Sequence, residues 1–240
     1  MRIISWNVQR IKKKVGAGAI ATAILNHNPS IIALHEFNLK VLGRKLASAL
    51  AVENFVPYAS PFSGKYFRTI VFAPPGAQIM ATPAALDGHD AFWIELRSAR
   101  LGISTVYIPP HSKNYAASRA AHWQAVLTVA RSVKDRPHLI IGDLNTTLHG
   151  VDEKNSSVPG EEYLKELEKI GWVEAWRKLH QFGPIIERYS WFSNSRNGFR
   201  LDQAWLSPSL VPHLSDTIMD HDVRERQLSD HSMLIVDLNL

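Results

Sequence analysis

Short apolar runs that break off at a polar residue alternate along this chain with longer stretches of helical spacing. Residues 2–8 predict a strand that ends on Ser5-Trp6-Asn7. The Ala-rich segment 16–28 stops at Pro29 and predicts a helix of about three turns. The aliphatic run 30–35 predicts a strand buried on both faces, and Glu36 follows it directly. Leu42, Leu46 and Leu50 fall at i, i+4, i+8 and predict a second helix over 38–52. The Pro-, Ser- and aromatic-rich stretch 54–64 predicts a loop.

In the middle of the chain, strands are predicted over 66–73, 91–96 and 101–108, the last two joined as a hairpin through 97–102. Residues 115–133 predict a helix, with Trp123, Leu127 and Ala130 on one apolar stripe and Val126, Val129 and Val133 on another. Pro137 opens a strand that runs into Gly142-Asp143-Leu144-Asn145. Helices are predicted over 159–170, ended by Gly171, and over 174–180. Strands at 189–192 and 201–206 flank a polar loop, 193–200, and 233–238 is the final strand. No internal repeat or low-complexity linker divides the chain, so one domain over 1–240 is expected. Strands in groups, with helices between the groups, predict an α/β architecture of two packed sheets with helices outside.

Composition narrows the chemistry. There is no cysteine, which removes disulfides, thiolate ligands and cysteine nucleophiles together and points to a cytoplasmic setting. No apolar run approaches the 18 residues of a membrane span, and the first residues lack the pattern of a signal peptide, so no membrane partner is expected. Lys and Arg outnumber Asp and Glu by 27 to 22, a formal charge of +5 that favours a polyanionic partner. The densest basic cluster, Arg10-Ile11-Lys12-Lys13-Lys14, follows the Asn7 tip directly. It is read either as a solvated loop or as a phosphate-backbone contact made by Arg10 and Lys12. Nothing in the sequence calls for an obligate protein partner, and a monomer is expected.

The polar residues at the ends of apolar runs form a set: Asn7, Glu36, Asp143, Asn145, Asp202 and Asp230. Carboxylates and amides without thiolates are hard oxygen donors, suited to Mg²⁺ or Mn²⁺. His231, beside Asp230, adds a group able to titrate near neutrality or to donate to an oxyanion. The combination predicts metal-assisted phosphoester hydrolysis. Singly, each piece has an ordinary structural reading: Gly-Asp-x-Asn as a turn, Ser-Asp-His as a surface turn, Asp202 as a partner of Arg200.

In their order along the chain these pieces resemble the endonuclease/exonuclease/phosphatase superfamily. The resemblance runs from Ser5-Trp6-Asn7 through Leu34-His35-Glu36, Tyr107-Ile108-Pro109, Gly142-Asp143-Leu144-Asn145 and Arg200-Leu201-Asp202 to Ser229-Asp230-His231. Gly171-Trp172-Val173-Glu174-Ala175-Trp176-Arg177 and Arg188-Tyr189-Ser190-Trp191-Phe192 are most similar to its exonuclease III branch of abasic-site endonucleases. The resemblance implies a four-layer α/β sandwich with two mixed sheets and the active site at one edge. It implies that Glu36 is the main metal ligand, supported by Asn7 and by Asp230 as a second acidic group. Asp143 would orient or deprotonate the attacking water, and Asn145 and Tyr107 would contact phosphate oxygens. His231 would bind the scissile phosphate with its tautomer fixed by Asp202. Trp191, Phe199 and Leu201 align with the residues that line the abasic-sugar pocket, and the expected partner is DNA.

The sequence also departs from that pattern. His35 replaces the usual Gln before the Glu, Gln9 replaces a second Asn, and Pro110 replaces an amide. His111 follows at once and is a further candidate for substrate contact. The loop between Trp191 and Asp202 is short. These departures touch abasic-site specificity more than the hydrolytic core. A phosphatase or phosphodiesterase acting on a small or lipid-linked phosphate, and a non-catalytic nucleic-acid-binding module, are the alternative readings.

Overall fold

Alternation along the central strands sorts apolar side chains into three layers, and this sorting builds the molecule. The computed structural model describes residues 1–9, 11, 14–59, 67–80, 86, 90–154, 158–180 and 185–240. In chain order the first elements are β1 (Arg2–Asn7), α1 (Ala17–Leu25), β2 (Ile31–Phe37), α2 (Val41–Val52), β3 (Val56–Ala59) and β4 (Arg68–Ala73). Then come β5 (Gln78–Ile79), β6 (Trp93–Arg97), β7 (Gly102–Tyr107), α3 (Ala116–Val133) and β8 (His138–Asp143). The remainder comprises α4 (Glu161–Ile170), β9 (Val173–Glu174), α5 (Ala175–Leu179), β10 (Trp191–Phe192) and β11 (Gly198–Phe199). Last are β12 (Asp202–Leu206), β13 (Leu214–Asp220), α6 (Asp222–Glu225) and β14 (Met233–Leu238).

The strands form two six-stranded mixed sheets, ordered β13-β14-β1-β2-β4-β3 and β5-β6-β7-β8-β12-β9, with β10 and β11 as a separate small hairpin. Each large sheet has one parallel pair near its centre, β1 with β2 and β7 with β8, and is otherwise antiparallel. Ile3, Ala33, Leu139 and Ile141 point between the sheets. Their neighbours Ile4, Ile32 and Leu34 point outward under α1 and α2, and Ile140 points outward under α3 and α4. A strand covered on both faces has no solvated side, which is why 31–34 and 139–141 read as unbroken apolar runs.

Most predicted elements stand with trimmed ends. The predicted loop 54–64 is corrected over 56–59, which form β3, paired with β4 at the edge of the first sheet. Pro57 is tolerated there because an edge strand needs only one row of hydrogen bonds. The opposite edge strand, β13, was not predicted: only Thr217 and Met219 are buried in it, so it has no apolar run to betray it. The polar loop predicted at 193–200 contains β11, whose pairing with β10 sets Trp191 opposite Phe199.

Candidate active site

Strand direction brings the polar tips together. β1 and β2 run parallel and carry Asn7 and Glu36 to the same end of the first sheet. β14 is antiparallel to β1, so the residues that lead into it, Ser229-Asp230-His231, arrive at that end too. In the second sheet β7 and β8 run parallel and end on Tyr107 and Asp143, which are partners in the ladder. β12 is antiparallel to β8 and begins on Asp202, directly opposite Asp143. Two sheets packed face to face therefore deliver Asn7, Glu36, Asp230, His231, Tyr107, Asp143 and Asp202 to one edge.

The backbone is unusual at three of these tips. Glu36 has φ +50°, at a break in register between Leu34 and Phe37 against β4. Asn145 and Gln9 also lie in the left-handed region, at +44° and +45°. Each such non-glycine conformation costs about 1 kcal/mol or more and recurs at sites that must aim a side chain. Gly142 is required for a different reason: a Cβ there would lie 1.8 Å from the carbonyl oxygen of Val106 on the neighbouring strand.

Contacts across the gap between the sheets join the tips. Asn7 Nδ2 donates to Asp143 Oδ2 at 3.0 Å and reaches Glu36 Oε1 at 3.5 Å, while its Oδ1 accepts from the Gln9 backbone N–H at 3.0 Å. Asn7 thus enters the site as a donor that bridges two carboxylates, with its oxygen turned to the backbone rather than toward a cation. Tyr107 donates its hydroxyl to Glu36 Oε1 at 3.2 Å. Burial, then the carboxylates of Glu36 and Asp143, hold the phenol well above its ordinary pKa, so it remains a donor. His35, fully buried, is wedged between Ser5 and Thr69 hydroxyls at 3.0 and 3.1 Å and stacks beneath Tyr107.

His231 Nδ1 pairs with Asp202 Oδ2 at 2.8 Å, which leaves Nε2 4.0 Å from Asp143 Oδ2. Burial pushes the imidazole pKa down, but Asp202, Asp143 and Asp230 outweigh it and raise it to about 10. The surrounding carboxylates favour the imidazolium form of His231. Burial raises Asp143 to about 7, against the opposing pull of His231 and of its hydrogen bonds from Asn7 and the Asn145 backbone.

Asp143, Asp202 and His231 bring three ligand-type atoms within 4.8 Å of one another. A protonated imidazole has no lone pair to offer, so in that state the donors of this trio to a cation are its two carboxylates. Two carboxylate oxygens here lack a partner: Asp202 Oδ1 and Asp230 Oδ1 are both buried without a hydrogen bond. Glu36 and Asp230 both line the same cavity and are hard-oxygen donors of the kind a divalent cation takes.

The cavity has a volume of about 700 Å³ and is lined by Asn7, Glu36, Tyr107, Asp143, Asn145, Asp230 and His231 on its polar side. Trp191, Phe199 and Leu201 line its apolar side, the two rings 5.7 Å apart. Asn145 also donates Nδ2 to the Ile108 carbonyl at 3.0 Å, which ties the two strand ends of the second sheet. His111 is exposed at the rim. Arg10 and Lys12, expected at the phosphate backbone, lie outside the described residues.

Sequence reasoning missed several members. Ser190 Oγ accepts from the backbone N–H groups of Leu201 and Asp202 and so sets where β12 begins. Ser229 Oγ donates to the Asn7 carbonyl at 2.6 Å. Arg119 is buried and fastens three loops around the cavity, donating to the carbonyls of Pro109 and Pro159 and to Thr146 Oγ1. In sequence it is one more polar residue on an amphipathic helix.

Comparison with solved structures gives the same architecture at low identity. A structure of the 3′ phosphatase NExo from Neisseria bound to product DNA hairpin superposes with a TM-score of 0.81 at 18% identity, covering all of both chains. An AP endonuclease from Archaeoglobus fulgidus gives 0.81 at 14%, again over all of both chains. The AP endonuclease LMAP from Leishmania major gives 0.78 at 16%, covering all of this chain and 87% of the other. A comparison with curated proteins gives no significant match. The model of the Endonuclease/Exonuclease/phosphatase family matches residues 4–231, nearly the whole length and every strand tip of the site. The chain belongs to the endonuclease/exonuclease/phosphatase family.

Proposed function

We propose that this protein hydrolyses phosphodiester bonds in DNA with the help of a divalent cation. The observation that carries the reading is the pairing of His231, locked by Asp202, with Asp143 4.0 Å away in a cavity that has an aromatic wall. Asp143 accepts hydrogen bonds on both oxygens, which fixes its plane. With a pKa raised to about 7 it is matched to accepting a proton from water at neutral pH. His231 directs its free Nε2–H at the place of a phosphoryl oxygen and carries the positive charge that the transition state calls for. Tyr107 is a second neutral donor on the same wall. Glu36 and Asp230 are the residues that would hold Mg²⁺ or Mn²⁺. When bound, the cation supplies charge neutralisation at the phosphate and at the departing oxygen.

Trp191, Phe199 and Leu201 favour a nucleic-acid substrate over a small phosphate, because the two rings offer faces, and Leu201 an apolar side chain, to a base or to a sugar that lacks one. Relatives of this shape include AP endonucleases and a 3′ phosphatase. No described helix is long and apolar enough to cross a membrane. The deciding assay compares a duplex with one abasic site, the intact duplex and a duplex ending in a 3′ phosphate, each with Mg²⁺ and with EDTA. Mg²⁺-dependent scission at the abasic site is expected. Equal rates on intact and abasic duplex would reject abasic-site preference, and release of phosphate alone would make the protein a 3′ phosphatase. No turnover on any of the three, with Mg²⁺ or Mn²⁺, would sink the hydrolase reading.

A further inference from the structure

Trp191 has two working surfaces. Its ring face forms the cavity wall beside Phe199, while its indole Nε1 donates to Asp230 Oδ2 at 3.3 Å. Gln9 Nε2 donates to the same oxygen at 2.7 Å. Two donors on Oδ2 leave Oδ1 bare, and that oxygen is the buried one without a hydrogen bond. A carboxylate capped on one oxygen only has a fixed facing, and its other oxygen keeps lone pairs that a cation could take. The backbone ties the same two segments: Trp191 bridges antiparallel to His231, and the Ser232 N–H donates to the Ser190 carbonyl at 2.8 Å. Any displacement of the Trp191 ring is therefore passed to Asp230 by a side-chain bond and by the chain.

We propose that Trp191 is a positioning residue that couples the two halves of the site. Stacking of a DNA sugar or base on its face and binding of a divalent cation at Asp230 favour each other, because both need the same indole placement. Such linkage is reciprocal by necessity. Phe at this position would supply an equivalent wall but no donor, since among the large apolar rings only indole carries an N–H at its edge. The substrate half rests on the DNA reading above; the cation half does not.

The test measures Mn²⁺ binding by the loss of the free-ion electron paramagnetic resonance signal, with and without the cleaved product duplex. The parent chain is compared with Trp191→Phe and Gln9→Met, and duplex affinity is measured separately in EDTA. Loss of one charge-assisted donor predicts Mn²⁺ binding roughly tenfold weaker in Trp191→Phe. Duplex affinity in EDTA should stay within about twofold, because the ring remains. The tightening of Mn²⁺ binding by product duplex should shrink in the same variant. Gln9→Met leaves the aromatic wall untouched and should weaken Mn²⁺ binding in the same direction, which guards against a folding defect in the Trp variant. Parent-like Mn²⁺ affinity in both variants would overturn the proposal. If the parent binds no duplex, the DNA reading and the coupling both fall, while a weakened Mn²⁺ curve in both variants would still support the role of Trp191 at Asp230.

Discussion

Arg200 and Asp202 are two residues apart, both buried, and each stands at the centre of a charged cluster. Arg200 pairs with Asp152 and lies 2.6 Å from Glu174, and Arg177 extends the network to Asp152 and Glu168 at 3.3 and 3.2 Å. Anion and cation alternate there. Asp202 belongs to a group in which, among the described residues, Asp143, Asp202 and Asp230 all act on one imidazole, His231. Bare oxygens remain on Asp202 and Asp230. The first cluster alternates in sign and holds α4, α5 and β12 together; the second gathers carboxylates at a cavity. Burial and ionisation alone would not tell the two apart. The balance of signs does, and it marks where a cation and a phosphate fit.

Substitutions can break this contrast. The largest effect on turnover is expected for Asp143→Asn, a loss of about 10³-fold or more in DNA cleavage. Because burial already works against the Asp143 charge, the thermal midpoint should not fall with it. A clear drop in calorimetry would mean that this cluster also supports the fold. Arg200→Ala should do the reverse. It leaves Glu174 buried without its cation and Asp152 with Arg177 alone, at about 3–5 kcal/mol. For a chain of this size that lowers the midpoint by roughly 10 °C. Cleavage per folded molecule, scored well below the midpoint, should stay within about twofold of the parent.

The smallest effect concerns the far end of β8. His138 is buried against Ser104, and burial, then Arg97, lowers its pKa to about 4. Its unfolded value is near 6.5, so the unfolded chain binds the extra proton between those limits. The stability it contributes is complete above about pH 6.5 and is lost as pH falls toward 4, by at most about 3 kcal/mol. In urea titrations from pH 7 to 4.5, His138→Gln should flatten that slope while cleavage at neutral pH is unchanged. An identical slope would show that His138 titrates alike in the folded and unfolded chain.

The polar tips were legible because each ends an apolar run, and a strand buried on both faces has no other place for a carboxylate. Glu36, Asp143, Asp202 and His231 all carried that signature. The fold was legible for the same reason, through the central strands. Edge strands were not: β13 presents Asp216 and Asp220 and buries few side chains. The hydrogen bonds that give the site its geometry were hidden as well. Gln9 and Asp230 are 221 residues apart in sequence, and neither residue type predicts the other. Arg119 lies on α3 four residues before Trp123, in line with the apolar stripe, but its residue type gives no sign of the loops that fold over it. Asn7 was legible as a site residue, but the turn of its amide is set by the Gln9 backbone and not by its own identity.

The bonds from Asn7 to Asp143 and from Tyr107 to Glu36 each span from one sheet to the other. They make the site a gauge of sheet spacing. An opening of the sandwich by about an ångström stretches both beyond hydrogen-bonding range, while the three apolar layers remain in contact. On heating, the enzyme should therefore fall silent some degrees before it melts, and recover on cooling.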